Sequence, residues 1–296
     1  MMTSHPWIAA GTLAACLTAA VPVLAQTASS AVEMETADSL PGYTLYRPTD
    51  ASGPLPLIVW GNGSCMVQGN RYAEFLSTIA AQGYFVVSMG GIMSDEDAQA
   101  MVDAQPADPW EREPYSTEAE LLAVLDWAAS EAGQSDSAYG AQIDAGTVGV
   151  MGHSCGGLQA AGALRDPRVA TAIAFNTGTF PAGSPALVGA DLTKETLPDL
   201  QGPIAYISGD EEDIAFENAA ADYEAIGHVP AFWGYPDGVG HGGTFFDPQG
   251  GQYAELAVAW FDWQLKGDDS ASHWFVGEDC TLCADPDWTV ASKGFD

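Results

Sequence analysis

Val148-Gly149-Val150-Met151-Gly152-His153-Ser154-Cys155-Gly156-Gly157 is the stretch that decides the fold. Its apolar, β-branched start reads as a buried strand, and Leu158 to Leu164 continues in a helix-compatible composition. Between them stands Gly-His-Ser-Cys-Gly, a G-x-S-x-G pattern at a strand-to-helix junction. A turn this sharp holds its central residue in strained backbone geometry, and side chains at Gly152 or Gly156 would crowd the adjoining strand and helix. Ser154 is thereby expected to be lifted clear of the sheet, with its hydroxyl beside a helix N-terminus. That is where a nucleophile belongs.

A serine hydroxyl needs a base to take its proton and a third group to orient that base. Downstream, Pro203 to Ser208 reads as a buried strand that runs into Gly209-Asp210-Glu211-Glu212-Asp213. Ala231 to Tyr235 reads as the next strand, followed by Gly238-Val239-Gly240-His241-Gly242-Gly243. Serine, acid and histidine thus follow in the order this junction requires, each at a strand end. Ser154 is expected as nucleophile, His241 as base and Asp213 as the orienting acid, with Asp210 in reserve. Asp213 is preferred because a few residues beyond the strand are needed to bring a carboxylate under the imidazole. His153 adjoins the serine and is expected to point away from it, packing or hydrogen bonding beneath the turn. His228 reads as a helix-end residue, His273 lies beyond the last helix, and His5 falls in an N-terminal leader.

With these residues in hand, the chain resembles the α/β-hydrolase superfamily over most of its length. More narrowly, it is similar to small secreted esterases grouped with dienelactone hydrolases, chlorophyllase-like enzymes and cutinase-like polyester hydrolases. Gly152 to Gly157, the acid loop and Gly238 to Gly242 carry the resemblance. It departs from the polyester hydrolases at Cys155, where they have Met, and in Ile173 to Gly178, which lacks their Trp. The resemblance implies an α/β fold: a mostly parallel twisted sheet flanked by helices, with no large cap domain. It also implies hydrolysis of a carboxylic ester, small or polymer-linked, through an acyl-enzyme and without metal or cofactor. Amide or peptide cleavage by the same three residues, or a catalytically idle binding protein, are the alternatives. The oxyanion hole is expected from two backbone N–H groups, that of Cys155 and that of Asn62 in the Gly61-Asn62-Gly63-Ser64-Cys65 loop after the strand Pro56 to Trp60.

Met1 to Ala25 reads as a secretory signal peptide cleaved after Ala25, although no Lys or Arg precedes its apolar run. Leu13-Ala14-Ala15-Cys16 also resembles a lipobox, so lipid anchoring through Cys16 stands beside ordinary cleavage to a secreted or periplasmic protein. Removal of the leader leaves Cys65, Cys155, Cys280 and Cys283, an even number suited to two disulfides in an oxidising compartment. Three pairings are possible. Cys65 and Cys155 belong to the two loops expected to meet at the oxyanion hole, which favours Cys65–Cys155 and Cys280–Cys283. A metal use of the Cys-x-x-Cys lacks a second pair or a suitably spaced His.

The charge balance is 40 acidic against 8 basic residues, net −32. Acidic runs are interleaved with core segments, so the chain is globular, with a solvated acidic surface suited to saline surroundings. Such a surface excludes nucleic-acid binding, which calls for basic patches.

The organisation expected is a loose segment over 26–40, one domain over 41–267, expected to be monomeric, and a tail over 268–296 carrying Cys280 and Cys283 and packed on the domain. Tyr43 to Arg47 alternates like an edge strand, Arg71 to Gln82 reads as a helix and Tyr84 to Ser88 as a strand. Thr117-Glu118-Ala119-Glu120 forms a capping box for a helix to Ala132. Met89 to Ser116, with Asp95, Asp97, Pro109 and Trp110, reads as a polar loop near the cleft. Tyr253 to Leu265 reads as the closing helix, and 176–202 is too short for a cap domain.

Overall fold

The computed structural model describes residues 30–108, 111, 113–181 and 189–295. Nine strands form one sheet: β1 (Val32–Ala37), β2 (Leu40–Pro48), β3 (Leu55–Gly61), β4 (Phe85–Met89), β5 (Ile143–His153), β6 (Thr171–Phe175), β7 (Ile204–Ile207), β8 (Ala231–Pro236) and β9 (Trp288–Lys293). Their order is β1-β2-β4-β3-β5-β6-β7-β8-β9. The run from β4 to β8 is parallel, and β1, β2 and β9 pair antiparallel at the flanks. The chain is therefore an α/β protein with a mostly parallel sheet.

The inner strands are continuous apolar runs because both faces of the sheet are covered. Along β3, Leu57 and Val59 face one core and Ile58 and Trp60 the other, all fully buried. The first core is closed by α3 (Glu118–Ala132), α4 (Cys155–Ala163) and α5 (Phe216–Ala225); the second by α1 (Ala73–Ala80) and α6 (Gly251–Lys266). The capping box stands as expected, with Thr117 and Glu120 bonding each other's backbone amides. Among the described residues, no helix is long and apolar enough to cross a membrane.

Four expectations are corrected. Val32–Ala37, taken as loose, is an edge strand, held by Arg47 reaching across to Glu33 (2.5 Å) and Glu35 (2.7 Å). Tyr43–Arg47 is consequently not at the edge. The tail beyond residue 267 does more than pack on the domain, for β9 pairs with β8 from Ala231↔Lys293 to Pro236↔Trp288. Both flanking segments thus belong to the same sheet as 41–267. Finally, Met89 to Ser116 contains α2 (Asp95–Ala104), capped by Ser94 accepting from the Asp97 amide. Its acidic first turn, Asp95-Glu96-Asp97, suits the positive end of a helix dipole. The leader over Met1–Ala25 with Cys16, residues 26–29, and Pro109 and Trp110 lie outside the described residues. The described part of 176–202 holds one short 3-10 turn, Leu197–Asp199.

The chain leaves β3 toward β4 on one side and returns to β5 on the other. The C-terminal ends of β3 and β5 therefore flank the point where strand order reverses, where open α/β sheets leave a crevice. The Gly61–Cys65 loop and Ser154 both emerge there.

Candidate active site

β5 ends and α4 begins at Ser154, whose φ of 53° and ψ of −118° lie in a region non-glycine residues avoid. The amide of Ser154 is pinned to Phe175 O at 2.9 Å. The glycines beside it are required by close approach. A Cβ on Gly156 would come within 2.6 Å of Asn62 N, and one on Gly61 within 2.7 Å of Gly156 O. Cys155 heads α4, where first-turn amides have no acceptor within the helix and the dipole end is positive.

His241 Nε2 lies 3.0 Å from Ser154 Oγ, and His241 Nδ1 lies 2.6 Å from Asp213 Oδ1. The same Asp213 oxygen accepts from the Ala215 amide, while Oδ2 accepts from the Gly209 amide and from Asn176 Nδ2. Burial alone would raise the Asp213 carboxyl, but His241 and the Ala215 and Gly209 amides more than offset it and hold it below the usual carboxylate range. Asp213 is therefore an anion at neutral pH. Asp210, the reserve, faces elsewhere: its carboxylate accepts from the Glu212 and Gly238 amides and its own amide donates to Val239 O. It ties the acid loop to the base loop. Gly209 makes that junction tight, since a Cβ there would lie 2.6 Å from Gly240 O.

Asn62 sits at the head of the Gly61–Cys65 loop, and its carbonyl accepts from the Gly156 and Cys65 amides, both at 3.1 Å. Its side chain is fully buried, accepting from the Trp60 indole and donating to Met66 O and Met89 O. Its side chain is thus wholly committed to hydrogen bonds within this region. Ser64 and Cys65 both have positive φ, 56° and 50°. A Cys65–Cys155 disulfide joins this loop to the residue after Ser154, Cα atoms 5.2 Å apart, and Cys280–Cys283 closes the second pair. Gln159 and Ser116 brace Cys65 from below, Gln159 Nε2 bonding its sulfur and Ser116 Oγ its carbonyl.

Two contributors escaped the sequence reading, and His153, expected to pack or hydrogen bond beneath the turn, does so with partners the sequence did not name. Asn176, at the end of β6 with φ of 47°, also donates to Gly240 O and so touches acid and base loops together. An Asn tolerant of left-handed backbone after a strand was its one local signal. Phe245 is buried in an aromatic cluster with Trp60, Tyr72, Phe75, Phe175 and Tyr253, its ring 5.0 Å from that of His153. His153 has a sharper part than packing. Its Nε2 meets the His241 carbonyl at 2.8 Å and its Nδ1 meets Tyr72 Oη at 2.9 Å. A carbonyl only accepts, so Nε2 carries the proton and Nδ1 accepts from the tyrosine. His228 bonds Leu200 O, a structural contact with neither the acid loop nor the base loop.

Burial lowers His153 to about 4 from an ordinary 6.5. Between these values the unfolded chain binds a proton that the folded chain refuses, so the stability contributed by this group is complete above pH 6.5 and is lost as pH falls toward 4. The loss between pH 7 and 4.5 is about 2 kcal/mol. His153→Gln retains a donor for the His241 carbonyl and does not titrate, so its denaturation midpoint should fall less over this range than that of the wild type. Parallel urea titrations at pH 7 and 4.5 check this, and equal slopes for both proteins would refute it.

Among the described residues, no three His, Cys, Asp or Glu side chains gather as a metal site. What the arrangement offers is a serine hydroxyl on a strained turn at a helix N-terminus, a histidine bonded to it and a buried anion behind the histidine. No protein-family model matches the chain, and no curated protein matches it significantly.

Proposed function

We propose that this chain has the α/β-hydrolase fold and is an exported serine hydrolase of carboxylic esters. The observation that carries this is the unbroken line Ser154 Oγ to His241 Nε2 at 3.0 Å and His241 Nδ1 to Asp213 at 2.6 Å. The Ser154 proton passes to His241 Nε2 as Oγ bonds the ester carbon, and the carbonyl electrons move onto oxygen. The amides of Cys155 and Asn62 receive that oxyanion, each preorganised donor being worth about 3 kcal/mol of barrier. Collapse expels the alcohol, which takes the proton from His241. Water then repeats the sequence on the acyl-enzyme and frees the acid. Asp213 stays ionised throughout and stabilises the imidazolium that forms twice per cycle. The two disulfides support export to an oxidising compartment.

The test is covalent. A fluorophosphonate probe should modify the wild-type protein on the peptide bearing Ser154 and leave Ser154→Ala unmodified. Equal modification of both proteins, or none of either, would defeat the assignment.

A further inference from the structure

We propose that Arg71 and Phe246 form a subsite that binds a carboxylate carried by the ester substrate. This rests on the serine-hydrolase reading above and names the substrate class within it. The chain has 40 acidic and 8 basic side chains. Among the described residues, Arg47, Arg165, Arg168, Lys194 and Lys266 are each paired with a carboxylate, and Lys293 is spent on the carbonyls of Tyr223 and Glu224. Arg71 is exposed and, among the described residues, pairs with no carboxylate; the polar side-chain group beside its guanidinium is the Tyr72 hydroxyl. Among the described cations of so acidic a protein, one without a carboxylate partner is the exception.

A short chain of contacts links it to the candidate site. The Arg71 guanidinium carbon lies 5.8 Å from the Phe246 ring centre and 6.0 Å from that of Tyr72. Phe246 stacks on Tyr72 at 5.3 Å, and Tyr72 bonds His153, the residue before Ser154, whose ring lies 5.2 Å from that of His241. Phe246 itself follows the base loop and is 63% exposed, an unusual state for so large an apolar ring. With five N–H donors, the guanidinium can engage the Tyr72 hydroxyl and the ring faces and still present the planar fork that grips a carboxylate bidentately. Phe246 meanwhile offers an apolar surface to the body of the same molecule. The acidic envelope repels an approaching anion at long range, and salt screens that repulsion beyond about 8–10 Å, whereas contact pairing at Arg71 is screened far less. A half-ester of a dicarboxylic acid, or an ester of a carboxylated alcohol or phenol, has the required chemistry.

Two substrate pairs separate these sources. Mono-4-nitrophenyl succinate against 4-nitrophenyl butyrate places the charge on the acyl side; 4-acetoxybenzoate against 4-methylphenyl acetate places it on the leaving side. The quantity read is the ratio of kcat/KM for the charged member to that for the neutral one, which cancels differences in intrinsic reactivity between proteins. Arg71→Gln should lower this ratio about tenfold in at least one pair, as expected for losing a hydrogen bond to a charged group. Arg168→Gln, which removes the same unit of charge far along the chain, should leave it unmoved. A ratio that changes less than twofold in both pairs, or that falls equally in Arg168→Gln, overturns the subsite. Retained fluorophosphonate labelling of Ser154 in Arg71→Gln shows that the variant is folded. Should the wild type neither label nor hydrolyse the neutral esters, the underlying hydrolase reading fails and the subsite falls with it.

Discussion

Asp213→Asn is expected to lower kcat on a simple nitrophenyl ester about 10⁴-fold, and Ser154→Ala at least as far. Asp213 is the only carboxylate bonded to His241 among the described residues, and its side chain is fully shielded from water. An amide in its place cannot stabilise the imidazolium, and it can present N–H instead of an acceptor to Nδ1, turning the ring toward the wrong tautomer. Asp210→Asn is the control that separates the two candidates in the acid loop. Asp210 bonds only backbone amides in these loops, so its loss should cost less than about tenfold in kcat, through looser positioning rather than lost chemistry. Steady-state kinetics on the three variants decide the matter. Comparable losses at Asp210 and Asp213 would contradict the assignment of roles.

The second large effect is expected at Cys65–Cys155. The bridge closes a loop of 90 residues, and chain entropy alone assigns such a loop about 4–5 kcal/mol of stability. For a domain of this size, removing it should lower Tm by about 10 °C or more. Cys280–Cys283 spans a separation of 3 residues, so its loss should cost only about 1–2 kcal/mol. Activity should distinguish the two bridges further. Cys65–Cys155 holds the Asn62 loop against the amide that follows Ser154, so Cys65→Ala/Cys155→Ala should lose about 10²-fold in kcat, the scale of one misplaced oxyanion donor. Cys280→Ala/Cys283→Ala should keep kcat near wild type. Thermal melts and kinetics on both double variants, well below their Tm, measure this. Equal losses for the two bridges would mean that the first acts on stability alone.

Much of the site was readable along the chain because its determinants are local. Gly152 and Gly156 around a serine mark a backbone crossing that admits no Cβ, and the contacts of Gly156 with Gly61 and Asn62 are that crossing. The order of Ser154, Asp213 and His241, each just beyond an apolar run, followed from the same strand-and-loop grammar. The pairing Cys65–Cys155 followed once two loops were expected to meet.

The parts that were not readable depend on register and reach through space. Val32–Ala37 shows weak alternation and finds its place by pairing with β2, where Arg47 lies opposite Glu33 and within reach of Glu35. Trp288–Lys293 finds its place through pairing with β8, and nothing in its own composition names that neighbour. Asn176 drew no reading of its own, and the partners that His153 would find beneath its turn could not be named from the sequence. Side-by-side pairing of β5 and β6, and the return of the Gly238–Gly243 loop above them, make one a support for Asp213 and the other a clamp on the His241 carbonyl. Which residue could be a nucleophile was thus a matter of backbone sterics within a few residues of Ser154. Which side chains hold its partners was settled by hydrogen bonds between segments tens of residues apart, whose alignment exists only once the sheet has formed.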